Sequence, residues 1–261
     1  MIVDCHTHIS SPGTEITVEG HLEASQSVDA CIVLAAAEPG QNKDANKALS
    51  DYVGTAPKKM VGFAIVNPPE DDISTKCWSN IKDRFGLDGA VLYCSRDRFH
   101  PAHSRALRFY ETMTELQMPI FFHNTAPFAS TAVLDFARPY LIDEIARGFP
   151  ELKIVIGGMG LPFLEETLCV IQKHPNVYAD LTIRPEKIWQ VYNIVIAAFE
   201  AEVMDKLVFG SGLPFRKAQP SIEALLGFNK LLADANLPTV PREKIRGIVE
   251  RDTLGLLGIK L

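Results

Sequence analysis

Short apolar runs recur along the whole chain and alternate with longer amphipathic stretches. The runs are continuous and do not alternate apolar with polar residues, which is typical of strands covered on both faces in a parallel sheet. They comprise residues 2–5, 30–34, 60–65, 89–93, 119–122, 152–156, 177–179 and 206–209. The pattern therefore predicts eight buried parallel strands.

Helical periodicity occupies the stretches between these runs. Apolar residues recur there at spacings of three and four, which places them on one face of a helix. They include Leu107, Tyr110 and Met113, then Ile188, Val191, Val195 and Ala198, then Ile222, Leu225 and Leu232. Pro139, inside residues 131–147, is expected to divide a helix, whereas Pro185 and Pro241 are expected in the first turns of helices.

The elements follow the order strand then helix, with no linker rich in Gly, Ser or Pro between them. Eight such units in a chain of 261 residues most simply close as a (β/α)₈ barrel. We therefore predict a single α/β domain of the TIM-barrel type over residues 1–261. An open doubly wound sheet is the alternative, but it requires a glycine-rich phosphate loop after its first strand. Here that strand ends in Cys5-His6-Thr7-His8.

Composition excludes several classes of protein. Hydrophobic residues make up 47% of the chain, which is too high for a disordered protein. The 26 basic and 32 acidic side chains give a net charge of −6 with no basic tract, so a nucleic acid or an anionic membrane surface is not an expected partner. Residues 154–164, an uncharged stretch broken by glycines in the middle of the chain, are too few to span a membrane.

The cysteines and the N-terminal residues bear on the compartment. Five cysteines are scattered along the chain and form no C-x-x-C pair, so neither a disulfide framework nor a structural zinc cluster is predicted. The N-terminal residues lack the basic and apolar regions of a signal peptide. A cytoplasmic location is expected, and the oligomeric state is left open.

Three histidines are candidate metal ligands. His6 and His8 are two residues apart at the end of an extended segment, so both side chains point to the same face. His123 ends the fifth predicted strand and falls on the same rim of the barrel. Three histidines are the ligand set of a catalytic zinc with an open fourth position. The alternative is that they are hydrogen-bonded residues at strand ends.

The chain also resembles the amidohydrolase superfamily, in particular the amidohydrolase-related (amidohydrolase 2) branch that includes aromatic-acid decarboxylases and lactonases. The resemblance spans nearly the whole chain. It rests on Asp4-Cys-His-Thr-His8, the His123 strand, Lys153-Ile-Val-Ile-Gly-Gly-Met-Gly160, His174-Pro-Asn-Val-Tyr-Ala-Asp180 and Leu207-Val-Phe-Gly-Ser-Gly-Leu-Pro-Phe215. It implies a TIM barrel and one divalent metal, with zinc as the expected ion, bound by His6, His8 and His123.

This chain departs from the family pattern at two strand ends. The sixth strand of relatives usually ends in Gly-His-Met-Gly, but the histidine position here is Gly158. The eighth strand usually ends in Gly-Ser-Asp or Gly-Thr-Asp, but the aspartate position here is Gly212. The fourth strand has Val91 and Tyr93 where relatives may carry a lysine or histidine, so a two-metal centre is not expected. Weak binding of the metal, or its absence, is a possible consequence.

Other acidic residues near the strand ends are candidates for the missing base. Glu38 follows the second strand, Asp97 the fourth, and Asp180 ends the seventh. For Asp180 a structural role, in which the carboxylate binds loop amides, is an equal alternative. Cys94 also follows the fourth strand, but a small core residue is the better interpretation.

Basic side chains at the same ends suggest an anionic substrate. Arg96 and Arg98 follow the fourth strand, Arg184 the seventh and Arg216 the eighth. Guanidinium binds carboxylate through two parallel hydrogen bonds, and solvent-facing loop charge is the alternative. Asn124, beside His123, is a further candidate for substrate binding.

The remaining histidines receive simpler interpretations. His100 and His103 lie in one loop and are candidates for a lid. His21 is interpreted as structural, and His174 as the end of a helix before Pro175.

The sequence thus favours a hydrolase, with lactonase and decarboxylase as the narrower candidates, acting on a small carboxylate-bearing molecule through a metal-bound water. The alternative is a non-catalytic barrel that binds a small acid or a protein. Gly158 and Gly212 favour this alternative, whereas the retained histidines oppose it.

Overall fold

Eight parallel strands form the centre of the molecule. The computed structural model describes residues 1–11, 14–15, 17–38, 40–56, 59–124, 128–232 and 236–260. The strands pair in sequence order, each parallel to the next. They are β1 Val3–Thr7, β2 Ala30–Leu34, β3 Lys59–Ile65, β4 Leu87–Leu92, β5 Ile120–Phe122, β6 Ile154–Ile156, β7 Val177–Thr182 and β8 Leu207–Gly210.

Backbone hydrogen bonds connect the first strand to the segment after the last one. The Gly212 amide donates to the His6 carbonyl at 2.9 Å, and the His8 amide donates to the Leu213 carbonyl at 2.9 Å. Thr7 and Leu213 form a parallel bridge at the same place. These contacts join the two edges of the sheet into a barrel, as predicted.

Helices alternate with the strands and pack their apolar faces on the core. Trp78 of the third helix, for example, is fully buried against Phe109 of the fourth, with ring centroids 4.8 Å apart. The helices are α1 Val18–Ala24, α2 Asn42–Thr55, α3 Thr75–Phe85, α4 Ser104–Glu115, α5 Leu141–Gly148, α6 Leu164–Lys173, α7 Ile188–Glu200, α8 Ala218–Leu226, α9 Arg242–Val249 and α10 Thr253–Leu256. Among the described residues, no helix has the length and apolar character needed to cross a bilayer.

The strand and helix predictions are confirmed in kind and differ at some boundaries. Pro139 does divide its segment, because a short 3₁₀ helix, Leu134–Ala137, precedes it and α5 follows it. Pro241 directly precedes α9. The prediction for Pro185 is wrong, because α7 begins only at Ile188 and Pro185 lies in the turn before it.

A buried carboxylate reinforces the junction between β1 and β8. Asp4 is 1% exposed, and its Oδ1 accepts hydrogen bonds from the Ser211 amide at 2.9 Å and the His6 amide at 3.2 Å. Burial raises the pKa of Asp4 to about 6, although the hydrogen bonds from Ser211 and His6 oppose the shift. Burial therefore costs the Asp4 anion more free energy than its hydrogen bonds recover.

Replacing this acid tests that conclusion. Because the folded pKa lies above the unfolded value, the stabilisation is complete below about pH 4 and is lost as the pH rises through about 6. Asparagine cannot ionise, so Asp4→Asn should avoid up to about 3 kcal/mol of the decrease in the free energy of unfolding that the parent shows over this pH range. We expect metal-free Asp4→Asn protein, followed by urea unfolding from pH 4.5 to 8, to become more stable than the parent towards high pH. Asp51→Asn, at an exposed position of α2, is the control, and equal profiles for Asp4→Asn and the parent would contradict the prediction.

Candidate metal centre and its cavity

The three predicted histidines lie together at the carboxyl end of the barrel. His6 lies within β1, His8 directly follows it, and His123 directly follows β5. One ring nitrogen of each lies within 4.8 Å of those of the other two. His6 and His8 are each 4% exposed, and His123 is partly buried. The barrel thus brings residues from opposite sides of the sheet to one point.

Hydrogen bonds orient two of the rings. His6 Nδ1 lies 2.5 Å from Oδ2 of Asp180, and His8 Nδ1 lies 2.8 Å from the Leu34 carbonyl oxygen. Because a carboxylate and a carbonyl only accept, both rings carry their proton on Nδ1 and leave the Nε2 lone pair available. His6 Nε2 lies 2.9 Å from Nε2 of His123. Two ring nitrogens that face each other at this distance must share a proton or a cation.

The electrostatic environment keeps two of these imidazoles, His8 and His123, neutral. Burial, and then the neighbouring His6, lower the pKa of His8 to about 3. Burial and the two other histidines lower the pKa of His123 well below its usual range. Neutral imidazole is the form that binds a metal. The donor set therefore fits one divalent cation held by His6, His8 and His123, with zinc among the ions that such nitrogen ligands suit.

Asp180 contacts His6 on the side of the histidine cluster away from the cavity. It is fully buried, and besides the contact with His6 its Oδ2 accepts hydrogen bonds from the Gly158 amide at 3.0 Å and from Thr182 Oγ1 at 2.6 Å. Cys5 Sγ lies 3.7 Å from Oδ1. Asp180 thus binds a loop amide, as one of the two sequence interpretations expected, and it also orients a candidate metal ligand.

After the sixth strand, where this chain departs from the family pattern, the backbone has a left-handed conformation. Gly158 follows β6 in a tight turn, with a left-handed φ of 53°, and Met159 has a φ of 55° with its side chain buried. This backbone aims the Gly158 amide at Asp180. At this position the chain therefore contributes a backbone donor.

The departure at the eighth strand leaves a restricted space. Gly212 is buried with a φ of 74°, which side chains rarely adopt. A Cβ at this position would lie 2.9 Å from Thr182 Cγ2 and 3.8 Å from Nη1 of Arg216. Both the backbone and Thr182 therefore oppose a side chain here.

A cavity of about 530 Å³ opens above the histidines. Among the described residues, its lining has no aspartate or glutamate, and its lysine and arginine side chains are Arg96, Arg184, Lys187 and Arg216. The rest of the lining is mainly apolar or neutral. It consists of Ala36, Tyr93, Ser95, Asn124, Phe128, Ala129, Ala132, Thr182, Gly212 and Phe215 together with the three histidines.

The predicted arginines of the fourth strand end differ in their placement. Arg96 lines the cavity, but its guanidinium pairs with Asp97 at 2.7 Å, donates to the Ala37 carbonyl at 3.0 Å and stacks on Tyr93 at 4.0 Å. Arg98 is exposed, has a φ of 56°, and is not among the cavity residues. On this side of the cavity the positive charge is largely neutralised.

The arginines of the seventh and eighth strand ends lie in the cavity wall. Arg216 forms an ion pair with Glu186 at 2.6 Å. Burial, and then the charge of Arg216, lower the pKa of Arg184. Two guanidinium groups are therefore close enough to repel each other. Asn124 also lines the cavity, and its amide binds the Ser95 amide at 3.3 Å and the Phe136 carbonyl at 3.4 Å.

The other sequence candidates lie away from the cavity lining. Glu38 is exposed, Asp97 is occupied by Arg96, and Cys94 is a buried core residue. Tyr93 does line the cavity, where its hydroxyl donates to the Ala35 carbonyl at 3.0 Å and burial raises its pKa.

The four remaining histidines make local contacts. His100 and His103 accept hydrogen bonds from the nearby amides of Ala102 and Arg105. These contacts order the start of α4, and neither ring reaches the cavity lining. His21 is fully buried against Tyr52. His174 caps the end of α6.

Thr182 and Lys187 line the cavity but were not among the sequence candidates. Thr182 was missed because the apolar run that predicts the seventh strand stops at Ala179 and the strand was predicted to end at Asp180, whereas β7 continues to Thr182. Its spacing of two from Asp180 is the signal that places both side chains on one face. Lys187 directly precedes α7, and no sequence feature distinguishes it from other loop lysines.

The chain matches the family model described as Amidohydrolase over residues 3–247. No curated protein matches the chain. Solved structures match it with low sequence identity and nearly complete coverage of both chains. The probable 2-pyrone-4,6-dicarboxylic acid hydrolase from Acinetobacter baumannii, with citric acid bound, has a TM-score of 0.67 and 16% identity, with 99% of each chain covered.

Two decarboxylases are similar to the same extent. The 5-carboxyvanillate decarboxylase from Sphingomonas paucimobilis has a TM-score of 0.71 and 11% identity, with 99% of each chain covered. The dihydroxybenzoic acid decarboxylase from a Polaromonas species contains manganese and the inhibitor 2-nitroresorcinol. Its TM-score is 0.70 at 13% identity, with 98% of this chain and 96% of that chain covered. At these identities the likeness establishes the TIM-barrel fold.

The contact between Asp180 and His6 leads to a first prediction for this site. Asp180→Asn removes the charge that fixes the His6 ring, so we expect zinc affinity to fall by about 10- to 100-fold while the fold is retained. Competition with a chromophoric chelator measures the affinity. Asp143→Asn is the matched control, because Asp143 pairs with His174 at 2.7 Å outside the cavity. Equal affinities for the two variants would contradict a positioning role for Asp180.

The space beside Gly212 leads to a second prediction. Gly212→Asp should lower the free energy of unfolding by about 1–3 kcal/mol, because it combines a left-handed φ with a close approach to Thr182 Cγ2. Adding Thr182→Ser removes that methyl group and retains the hydroxyl. We expect the double variant to recover part of the loss in urea unfolding, with Thr182→Ser alone as the control. Strictly additive effects would show that the methyl contact is not responsible.

Proposed function

The chain belongs to the amidohydrolase family, and we propose that it is a metal-dependent enzyme that hydrolyses a small carboxylate-bearing molecule such as a lactone or an ester. The lining of the cavity carries this proposal. It combines three histidines at one end with basic side chains in its wall, and no acidic residue among its described members.

His6, His8 and His123 would hold one divalent ion, with zinc or manganese as the candidates. When bound, such an ion acts as a Lewis acid and lowers the pKa of water to about 7. Asp180 would keep the His6 ring in the orientation that binding requires. The buried environment would exclude protons from His8 and His123, because both pKa values are lowered.

Arg184, Lys187 and Arg216 would bind the anionic part of the substrate. They come from the ends of β7 and β8 and line the same cavity as the histidines. The apolar lining, including Phe128 and Phe215, suits the organic body of a small acid. Arg96 would act mainly through packing, since Asp97 already neutralises its charge.

Loss of CO₂ from a small acid is the second candidate reaction. The absence of a carboxylate among the described cavity residues favours it, because hydrolysis requires an acceptor for the proton of water. Two of the similar structures described above are named as decarboxylases.

A non-catalytic barrel that binds a small acid remains the alternative outside enzymes. Gly158 and Gly212 support it, since neither supplies the side chain that relatives usually carry at that position.

Metal content and turnover distinguish these functions. We expect one zinc or manganese ion per chain in loaded protein, measured by elemental analysis, and its loss in His123→Asn. His100→Asn is the matched control, because His100 lies outside the cavity lining. Hydrolysis should proceed at about 10⁻³ to 10⁻¹ s⁻¹, since a missing positioned base costs about 10²- to 10⁴-fold relative to a typical enzyme.

Assays on lactones and esters test hydrolysis, and release of CO₂ from aromatic acids tests the second reaction. Turnover only in the CO₂ assay would replace the first proposal with the second. Absence of metal even after loading would leave the non-catalytic barrel. Two ions per chain would contradict the three-histidine site.

A further inference from the structure

We infer that the space beside Gly212 is a carboxylate subsite, in which a ligand supplies the carboxylate that position 212 lacks and binds it next to Arg216. The subsite is part of the same cavity as the histidines, so this inference rests on the proposed metal-dependent function. Because Gly212 has no side chain, only a ligand with a carboxylate completes the site.

Gly212 lies beside His6, one of the three candidate metal ligands. Its amide donates to the His6 carbonyl at 2.9 Å, and Thr182, which a Cβ at Gly212 would contact, lies 3.0 Å from His6 through its hydroxyl. His6, Thr182, Gly212 and Arg216 all line one cavity. A group placed beside Gly212 therefore lies next to a candidate metal ligand.

The guanidinium of Arg216 is oriented with one nitrogen towards the space beside Gly212. Within the described part of the chain, all of its side-chain hydrogen bonds go to Glu186, from Nε at 3.0 Å and from Nη2 at 2.6 Å. Its Nη1 lies on the other side, 3.8 Å from where a Cβ of residue 212 would lie. Glu186 thus holds the outer edge of the guanidinium, and the inner nitrogen is directed at the space beside Gly212.

The cavity wall after β7 and β8 is positively charged. Arg184, Lys187 and Arg216 line it, and no acidic side chain does so among the described cavity residues. Burial, and then repulsion by Arg216, lower the pKa of Arg184, while Glu186 offsets part of this effect. An anion between these groups would relieve the repulsion and gain charge-assisted hydrogen bonds.

The neighbouring groups favour carboxylate as the anion. A single carbon added at Gly212 would lie 2.9 Å from Thr182 Cγ2 and 3.8 Å from Arg216 Nη1, so a group in this space meets a methyl group and a guanidinium nitrogen. Guanidinium forms charge-assisted hydrogen bonds with both carboxylate and phosphate, and the planar carboxylate is the smaller of the two.

The inference requires that metal and carboxylate bind cooperatively. If both occupy adjacent positions, each must raise the affinity of the other by the same factor, by thermodynamic linkage. A neutral isostere has no such effect. Benzoate and benzamide form the matched pair of probes, because they share one shape and differ in charge.

The experiment measures zinc affinity by chelator competition with and without saturating benzoate. We expect benzoate to tighten zinc binding by about 10-fold in the parent, and benzamide and phosphate by less than twofold. In Arg216→Met the effect of benzoate should fall below about twofold. Arg246→Met, which removes the same charge from the exposed Arg246–Glu250 pair of α9, should retain it.

A second variant supplies the carboxylate from the protein itself. In Gly212→Asp with Thr182→Ser, zinc should bind more tightly without any probe, and benzoate should no longer improve it. Thr182→Ser alone is the reference for the double variant, because the two proteins differ only in the added aspartate. This arm needs only the folded double variant, and the Arg216→Met arm does not depend on it.

The outcomes separate this inference from the proposed function. Zinc binding that benzoate and benzamide affect equally, or a benzoate effect that survives in Arg216→Met, would overturn the subsite and leave the metal site intact. An equal effect of phosphate would overturn the assignment to carboxylate. A parent protein that binds no zinc would overturn both the subsite and the proposed function.

Discussion

The buried carboxylate of Asp180 is the group on which the candidate site most depends. It accepts hydrogen bonds from His6 of β1, the Gly158 amide after β6 and Thr182 of β7. A fully buried charge is costly unless such donors surround it. Each of these segments is therefore held by the same electrostatic requirement, and a shift in one of them would leave the carboxylate partly unsatisfied.

Sequence alone predicted the barrel and the histidine cluster, because both depend on simple periodicities. Continuous apolar runs identify strands buried on both faces, and the spacing of two between His6 and His8 places their rings on one face. His123 follows from its position at a strand end. The barrel geometry then brings the three together without any further information.

The direction of loop side chains was not predictable in the same way. Arg96 and Arg98 have the same spacing of two, yet Arg96 lines the cavity and Arg98 is exposed. The difference arises from a local backbone conformation, a φ of 56° at Arg98, which no residue pattern indicates. The ion pairs that neutralise some arginines and orient others also depend on tertiary contacts.

The asymmetry of the cavity has a consequence for how a ligand arrives. On the side of β4, Asp97 neutralises Arg96, which is also stacked on Tyr93, whereas after β7 and β8 the three basic groups Arg184, Lys187 and Arg216 outnumber Glu186, the acid that pairs with Arg216. The positive potential therefore rises from one wall to the other. In such a gradient an asymmetric anion experiences a torque as well as an attraction. A small acid is thus turned with its charged end towards the β7–β8 wall before it touches either surface, which shortens its rotational search.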